Sequence, residues 1–213
     1  MTAKIDFYTN AMSRGRIAHW MMEELGEPYE THWVDYGEPM KSAEYLRINP
    51  MGKVPALVHD GAVITECPAI CTFLAAEYPD SGLMPEGSAA LANFYRWMFF
   101  AAGPVEQALV AKSMKWESKP ESSMMLGYGS LEDTLNAVEL ALCNGSWVCG
   151  DRFTAVDVYL GSHLSWGIQF GTLEERPAFR EYADRCMQRE AWQRANEINN
   201  KRIAETQQQP PDS

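Results

Sequence analysis

The sequence predicts two domains of different class, an α/β domain at the N-terminus and an all-α helical bundle domain after it. Strand and helix signals alternate over the first part of the chain, whereas the later part carries helical patterns and no convincing strand. Residues 79–88 are rich in proline and glycine, which is typical of a linker. We therefore assign 1–80 to the α/β domain, 81–88 to a linker, 89–205 to the helical domain and 206–213 to a disordered tail.

The first elements of the α/β domain are a strand, a helix and a second strand. Residues 4–8 form a short β-type run, and apolar residues then recur at helical spacing over 14–25. Gly26 follows as a helix stop, and residues 29–34 alternate as a half-buried strand does. This order predicts a parallel pair of strands joined by a right-handed crossover.

A hairpin and a further helix complete the α/β domain. Asp60 and Gly61 separate two apolar runs within 56–65, which is a strong signal for an antiparallel hairpin. A helix is predicted from Pro68 to Tyr78, with proline in its first turn. The order β-α-β, a connecting segment, then β-β-α is the thioredoxin-like arrangement.

The second domain is predicted to contain helices only. Thr154 and Asp157 form a variant capping box at the start of one helix, to which we assign a structural role. The predicted helices span 89–115, 122–143, 154–169, 177–188 and 191–204.

Composition and charge exclude several classes of function. Hydrophobic residues make up 46% of the 213, and the formal net charge is −11, so we expect a packed core and no nucleic-acid partner. The five cysteines form no Cys-x-x-Cys pair and the four histidines show no metal-ligand spacing, so we expect reduced thiols and no metal. The most apolar segment, 97–105, is too short to cross a membrane, and no signal peptide is evident. We expect a cytoplasmic protein.

Four segments carry motifs in a characteristic order. They are YTNAMSRGR at 8–16, NPMGKVPAL at 49–57, TECPAI at 65–70 and GDRFTAVD at 150–157. In order and spacing they resemble the cytosolic glutathione S-transferase family, and the first resembles bacterial members with a Ser-Arg pair at the start of the first helix. The resemblance implies glutathione as co-substrate and a homodimer.

The resemblance implies a backbone clamp at Val54. In such proteins a proline, here Pro55, opens the third strand after a cis peptide bond, and the preceding residue pairs with the cysteinyl part of glutathione. Without the resemblance, Pro55 is an ordinary strand-opening proline. Lys53 suits the glycine carboxylate of the ligand or a backbone contact. Lys41 is a second candidate cation, although a solvated surface lysine is the alternative we favour for it.

The resemblance also implies an anion site at Glu66 and Cys67. Both lie at the N-terminus of a predicted helix, where backbone N–H groups and the helix dipole favour the γ-glutamyl carboxylate. Glu66 would contact the ligand's ammonium group. Cys67 stands where the family has Ser or Thr, and a thiol is a weaker donor, so we expect weakened affinity. The alternative is plain helix capping.

Ser13 is the first candidate for stabilising the glutathione thiolate. It lies where the first helix is predicted to begin, so a hydroxyl donor and a helix N-terminus act together. Asn10 and Tyr8 are the alternatives, and a site without a side-chain activator remains a further one. Ser13 could also act only as an N-cap.

An apolar pocket for the electrophile is expected between the domains. Clefts for small ligands favour aromatic walls, although most aromatic residues on helices belong to the core. The candidates are Met12, Trp97, Phe100, Tyr128, Trp166 and Phe170.

The function implied is conjugation of glutathione to small apolar electrophiles. The first alternative is a glutathione-dependent thiol or peroxide reductase, which would favour a cysteine at the position of Ser13. The second is a non-catalytic binding module, which Cys67 would suit.

Overall fold

The computed structural model describes residues 3–116 and 119–208, with the backbone alone at Pro120. The chain divides into two compact units, one formed by the residues up to Tyr78 together with those from Arg189 onward, the other by Pro79–Gln188. The last helix thus belongs to the first unit, whereas the sequence had assigned it to the helical domain. That helix continues to Gln208, so the predicted disorder from residue 206 is wrong for 206–208. The rest of the predicted tail lies outside the described residues.

The first unit contains a four-stranded sheet with helices on both faces. Its strands are β1 (Ile5–Thr9), β2 (Glu30–Trp33), β3 (Ala56–His59) and β4 (Ala62–Thr65). Its helices are α1 (Gly15–Leu25), α2 (Glu38–Lys41), α3 (Ala43–Ile48), α4 (Cys67–Glu77) and, from the end of the chain, α10 (Glu190–Gln208). The predicted connecting segment thus contains the two short helices α2 and α3.

The sheet has the strand order β2-β1-β3-β4. β1 and β2 are parallel, and both β1–β3 and β3–β4 are antiparallel, which confirms the predicted thioredoxin-like arrangement. The hairpin turns at Asp60 and Gly61, whose φ angles are 47° and 86°. A two-residue turn with both φ angles positive matches the right-handed twist of the strands it joins, which explains the strength of the Asp-Gly signal.

The two faces of the sheet are buried by different helices. In β1, Ile5, Phe7 and Thr9 are buried, and Phe7 meets His19 of α1 edge-on at a ring-centroid distance of 5.3 Å. On the opposite face, Tyr8 packs against a buried cluster formed by Val34, Met40 and Tyr45. α1 also packs against α4 and α10.

The regular secondary structure in the described residues of the second unit is helical, apart from one isolated β-bridge between Trp147 and Gly150. Its helices are α5 (Ser88–Phe100), α6 (Glu106–Ser113), α7 (Leu131–Leu142), α8 (Ala155–Gln169) and α9 (Pro177–Met187). α5 runs into α6 through a π-helical turn, Ala101–Val105. Pro104 lies in that turn, and a proline lacks the N–H that a regular helix would use.

One predicted helix of this unit is wrong in its first half. The prediction over 122–143 is replaced by a 3₁₀ turn, Pro120–Met125, and by α7, which begins only after Ser130. The Ser130 hydroxyl accepts a hydrogen bond from the N–H of Asp133 at 3.0 Å, so it marks the true helix start. Two glycines between the turn and α7 interrupt the helical pattern.

α8 is the centre of this unit, since it is buried along nearly its whole length. Its predicted capping box is confirmed: the Asp157 carboxylate accepts from the N–H of Thr154 at 2.8 Å. The same carboxylate accepts from the N–H of Val148 at 2.9 Å and from the hydroxyl of Tyr182 at 2.8 Å. Asp157 thus joins α8 to α9 and to the preceding loop. No helix of the described residues has the length and apolar character needed to cross a membrane.

Candidate active site

The strand register brings three of the four sequence motifs to one edge of the sheet. Tyr8 pairs with Ala56, and Ala56 pairs with Thr65. The end of β1, the start of β3 and the end of β4 are therefore neighbours. The motif residues beyond these strand ends also meet, because the Cys67 thiol donates to the carbonyl of Arg14 at 3.3 Å.

Val54 presents an open stretch of backbone at this edge. The Val54–Pro55 peptide bond is cis, as the sequence predicted. Among the described residues, neither the N–H nor the C=O of Val54 has a hydrogen-bond partner. The loop before it is held by the carbonyl of Lys53, which accepts from the Tyr45 hydroxyl and from Nδ2 of Asn49, both at 2.7 Å. A half-buried residue is thus fixed with its backbone ready to pair with an extended chain.

The two candidate lysines differ in their surroundings. Lys41 donates from Nζ to the carbonyls of Met51 at 2.8 Å and Gly52 at 3.0 Å. Its ammonium group therefore holds the loop, a role that the sequence did not indicate. The Lys53 side chain is exposed and makes no hydrogen bond or ion pair within the described part of the chain.

Glu66 occupies the N-cap position of α4 in an unusual backbone conformation. Its φ and ψ angles are 69° and 123°, in a region that residues with a side chain seldom adopt. Such conformations cost on the order of 1–3 kcal/mol and cluster at binding sites. The Glu66 side chain is exposed and makes no capping hydrogen bond, so its carboxylate faces solvent at the positive end of the helix dipole.

The hydroxyl of Ser13 is part of a turn before α1. It donates to the carbonyl of Asn10 at 2.7 Å and accepts from the N–H of Gly15 at 2.9 Å. The N-cap of α1 is Arg14, so Ser13 stands one residue before the cap, and the suggestion that Ser13 is itself the N-cap is wrong. The hydroxyl is half-buried and lies at the helix N-terminus, but its proton points to a protein carbonyl.

The two alternatives to Ser13 are held by packing. Asn10 is buried, donates to the carbonyl of Val34 at 3.0 Å and accepts from the N–H of Met12 at 2.9 Å, so both ends of its amide are used. Tyr8 stacks on His32 at 4.5 Å, on the sheet face opposite α1. Burial raises the pKa of Tyr8, so its hydroxyl stays protonated at neutral pH.

Arg16 supports the turn before α1, although it was not among the site residues predicted from the sequence. Its guanidinium group donates to the carbonyl of Ala11 at 3.3 Å and to Oδ1 of Asn196 and Asn200 in α10, at 2.6 and 2.9 Å. Burial lowers the pKa of Arg16 from its high ordinary value. A cation in the first turn of a helix is unfavourable, so an arginine at this position could have indicated a specific role for Arg16.

The predicted pocket residues do not share one environment. Trp97 is buried and meets Phe100 edge-on at 5.3 Å, so it belongs to the core of the second unit. Met12 and Phe170 are exposed, and Trp166 is half-buried. Tyr128 lines a cavity of about 590 Å³ in the second unit.

One group of side chains has the geometry of a metal site. Ligand atoms of Asp6, Glu30 and His32 lie within 4.8 Å of one another. Asp6 already contacts His32 at 2.9 Å and Lys4 at 3.0 Å. Because the Lys4 ammonium group already supplies a cation to Asp6, we interpret this arrangement as an ion-pair cluster.

A four-stranded sheet with the order β2-β1-β3-β4 and with helices on both faces defines a thioredoxin-like protein. A family model described as glutathione S-transferase, N-terminal domain, matches residues 11–77. Glutathione S-transferase GstA of Escherichia coli O157:H7 is 31% identical over 153 residues, which cover 70% of this chain and 75% of the relative. The chain belongs to the glutathione S-transferase family.

Solved structures agree with this assignment. A glutathione transferase from Methylococcus capsulatus has a TM-score of 0.77 and 30% identity, covering 92% of this chain and 98% of that one. A sphingomonad glutathione S-transferase in complex with glutathione has a TM-score of 0.73 and 26% identity, with coverage of 92% and 98%. Both cover the two units together, so the fold is that of the family from the first strand to the last helix.

Proposed function

We propose that this chain binds glutathione along the edge at Val54, stabilises its thiolate and conjugates it to small apolar electrophiles. The observation that carries the proposal is the strand register, which gathers Ser13, Val54 and Glu66 at one end of the sheet. Membership of the glutathione S-transferase family supports the same reaction.

Each part of glutathione has a partner of suitable chemistry. The N–H and C=O of Val54 pair with the backbone of the cysteinyl residue, as one strand pairs with another. The α4 N-terminus holds the γ-glutamyl carboxylate, and Glu66 holds the adjacent ammonium group. Lys53, whose ammonium group is exposed, holds the glycine carboxylate. We leave Lys41 out of this set because its ammonium group holds the loop at Met51.

The reaction needs a thiolate at neutral pH. A free thiol has a pKa of about 8.5, so only a few per cent is ionised. The Ser13 hydroxyl, by turning its proton from the Asn10 carbonyl to the sulfur, stabilises the anion at the N-terminus of α1. The resemblance of this segment to bacterial members with a Ser-Arg pair supports this role of Ser13. The sulfur then forms a bond to the electrophilic carbon, and the leaving group departs with its electron pair.

Binding and turnover test the proposal separately. The protein should be retained on immobilised glutathione and eluted by the free tripeptide. It should also conjugate glutathione to 1-chloro-2,4-dinitrobenzene with release of chloride. Retention without turnover would make the chain a non-catalytic binding module. Absence of both would refute the proposed site.

A matched pair of variants tests where the tripeptide binds. Glu66→Gln removes the partner of the ligand's ammonium group, so the Kd for glutathione should rise about 10-fold. Glu77→Gln removes an exposed carboxylate at the far end of the same helix and should leave the Kd unchanged. Calorimetric titration measures both. Equal affinities of the two variants would contradict the placement of the ammonium group.

We also infer a cytoplasmic homodimer from family membership. Sedimentation equilibrium should give twice the mass of the 24.0 kDa chain. A monomer mass at micromolar concentration would refute the dimer.

A further inference from the structure

The second unit contains a cavity of about 590 Å³, a volume suited to a small organic molecule. It lies beside α6, the π-helical turn and the segment after α6. Its lining residues are Ala102, Glu106, Gln107, Val110, Ala111, Trp116, Leu126 and Tyr128. Aliphatic groups, two aromatic rings and the Gln107 amide thus surround a single carboxylate. Within the described part of the chain, no lysine or arginine lines this cavity.

The Glu106 carboxylate is held in place by buried neighbours from α8. Its Oε2 accepts from the hydroxyl of Tyr159 at 2.6 Å and lies 3.9 Å from Nε2 of His163. Tyr159 and His163 are buried, and their rings meet edge-on at 4.7 Å. The Glu106 side chain keeps 26% of its surface exposed and lines the cavity, so α8 holds a side chain that is not fully buried.

We propose that this cavity binds aromatic molecules that carry a protonated amine, with the ammonium group on Glu106 and the ring beside Trp116 and Tyr128. A carboxylate in apolar surroundings attracts a cation more strongly than one in bulk water, because the local dielectric constant is lower. Aromatic faces add a favourable interaction with the same cation. The π-helical turn contributes Ala102 to the wall, and such turns often occur at functional sites.

If this cavity receives the electrophile, its chemistry also determines the class of substrate. This part of the inference rests on the proposed function. The preferred acceptors are then electrophilic aromatics with an ammonium substituent, and anionic aromatics are disfavoured. The carboxylate binds and orients the acceptor. It takes no part in the transfer of the sulfur.

Three ligands of similar shape test the preference without glutathione. We would titrate the protein with 2-phenylethylammonium, neutral propylbenzene and anionic 3-phenylpropanoate by calorimetry. The ammonium ligand should bind about 10-fold more tightly than propylbenzene, and the carboxylate ligand most weakly. Added sodium chloride should weaken the ammonium ligand and leave propylbenzene unchanged. Equal affinities, the reverse order or no binding would overturn the inference.

A matched pair of variants locates the charge. Glu106→Gln keeps an oxygen that can accept from Tyr159 but removes the charge, so the 10-fold preference should fall below about 3-fold. Glu121→Gln removes an exposed carboxylate that does not line the cavity and should keep the preference. A preference that survives in Glu106→Gln would refute the role of this carboxylate. The salt series on the unaltered protein decides the matter if that variant does not fold.

The two proposals can fail separately. Turnover of 1-chloro-2,4-dinitrobenzene without any preference for the ammonium ligand would refute the cavity alone. A preference without turnover would refute the transferase activity and leave the cavity as a binding site.

Discussion

At the scale of single residues, the hydroxyl of Ser13 has a structural role, to which the proposed function adds a catalytic one. Its hydrogen bonds to Asn10 and Gly15 shape the turn that begins α1. Donation to a thiolate would break the first of these bonds and keep the second. The oxygen stays in place and accepts from Gly15 in either orientation of its O–H bond. In the proposed mechanism the sulfur therefore competes with one protein carbonyl for the proton.

Replacement of Ser13 separates binding from activation. Ser13→Ala should lower the kcat for 1-chloro-2,4-dinitrobenzene about 10-fold, because one donor to the anion is lost. The Kd for glutathione should change little, since the contacts at Val54 and Glu66 remain. Steady-state kinetics and calorimetry measure the two quantities.

Ser130 provides the control for Ser13→Ala. It is also a serine at a helix start, where it caps α7 in the second unit. Ser130→Ala should cost about 1 kcal/mol of stability and leave kcat unchanged. An unchanged kcat in Ser13→Ala would instead point to a site without this activator.

At the scale of elements, α1 and α10 are joined through the buried side chain of His19. Nδ1 of His19 lies 3.0 Å from Nδ2 of Asn199, and Nε2 lies 2.9 Å from the Tyr29 hydroxyl. That hydroxyl donates to Glu23 at 2.6 Å, so it accepts from Nε2–H. Nδ1 is then the acceptor for the Asn199 amide, and His19 is neutral. Burial lowers the pKa of His19 below its ordinary value, so the ring stays uncharged at neutral pH.

This neutral histidine predicts a pH dependence of stability. A lowered pKa in the folded state means that the unfolded chain binds more protons, so the free energy of unfolding decreases as pH falls below about 6.5. The slope is at most about 1.4 kcal/mol per pH unit, and the loss levels off below the folded-state pKa. Urea unfolding between pH 7.5 and 5, in steps of ~0.5 pH unit, measures this dependence of the unfolding free energy on pH.

The variant His19→Gln isolates the contribution of this one group. Glutamine does not titrate, so the difference in unfolding free energy between the variant and the unaltered protein should depend on pH in the same window. A difference that is constant with pH would show that His19 is not the group responsible.

At the scale of the whole molecule, the end of the chain returns to complete the first unit. Arg189, next to the start of α10, contacts the Glu24 carboxylate of α1 with two donors, at 2.6 and 2.7 Å. The Glu24 side chain is only 6% exposed and also accepts from the indole of Trp20 at 2.8 Å. Arg194 forms a second pair with Glu23 at 2.9 Å, in a more exposed position.

Loss of Arg189 should therefore cost more than loss of Arg194. Arg189→Ala leaves a buried carboxylate without its cation, for which we expect about 2 kcal/mol. Arg194→Ala removes a half-exposed cation, and Glu23 keeps its hydrogen bond from Tyr29, so this change should cost less than about 1 kcal/mol. Denaturant unfolding compares the two, and equal costs would contradict this role of burial.

Local chemistry accounts for the features that the sequence analysis identified correctly. The Asp60-Gly61 turn, the Gly26 stop, the hairpin and the Thr154 capping box each depend on residues a few positions apart. The motif at Val54 and Pro55 was recognisable only together with the other three motifs, in their order and spacing, because a strand-opening proline alone is ordinary.

The sequence by itself determined the elements of the sheet, the motifs and the family, because these arise from short-range patterns. Only the tertiary structure decided that α10 joins the first unit, that Lys41 holds a loop and that Glu106 lies in a cavity. These features depend on contacts between residues distant in the chain. A hydrophobic or charged side chain is compatible with many different partners in the chain. Which partner it contacts is decided only by the packing of the folded protein.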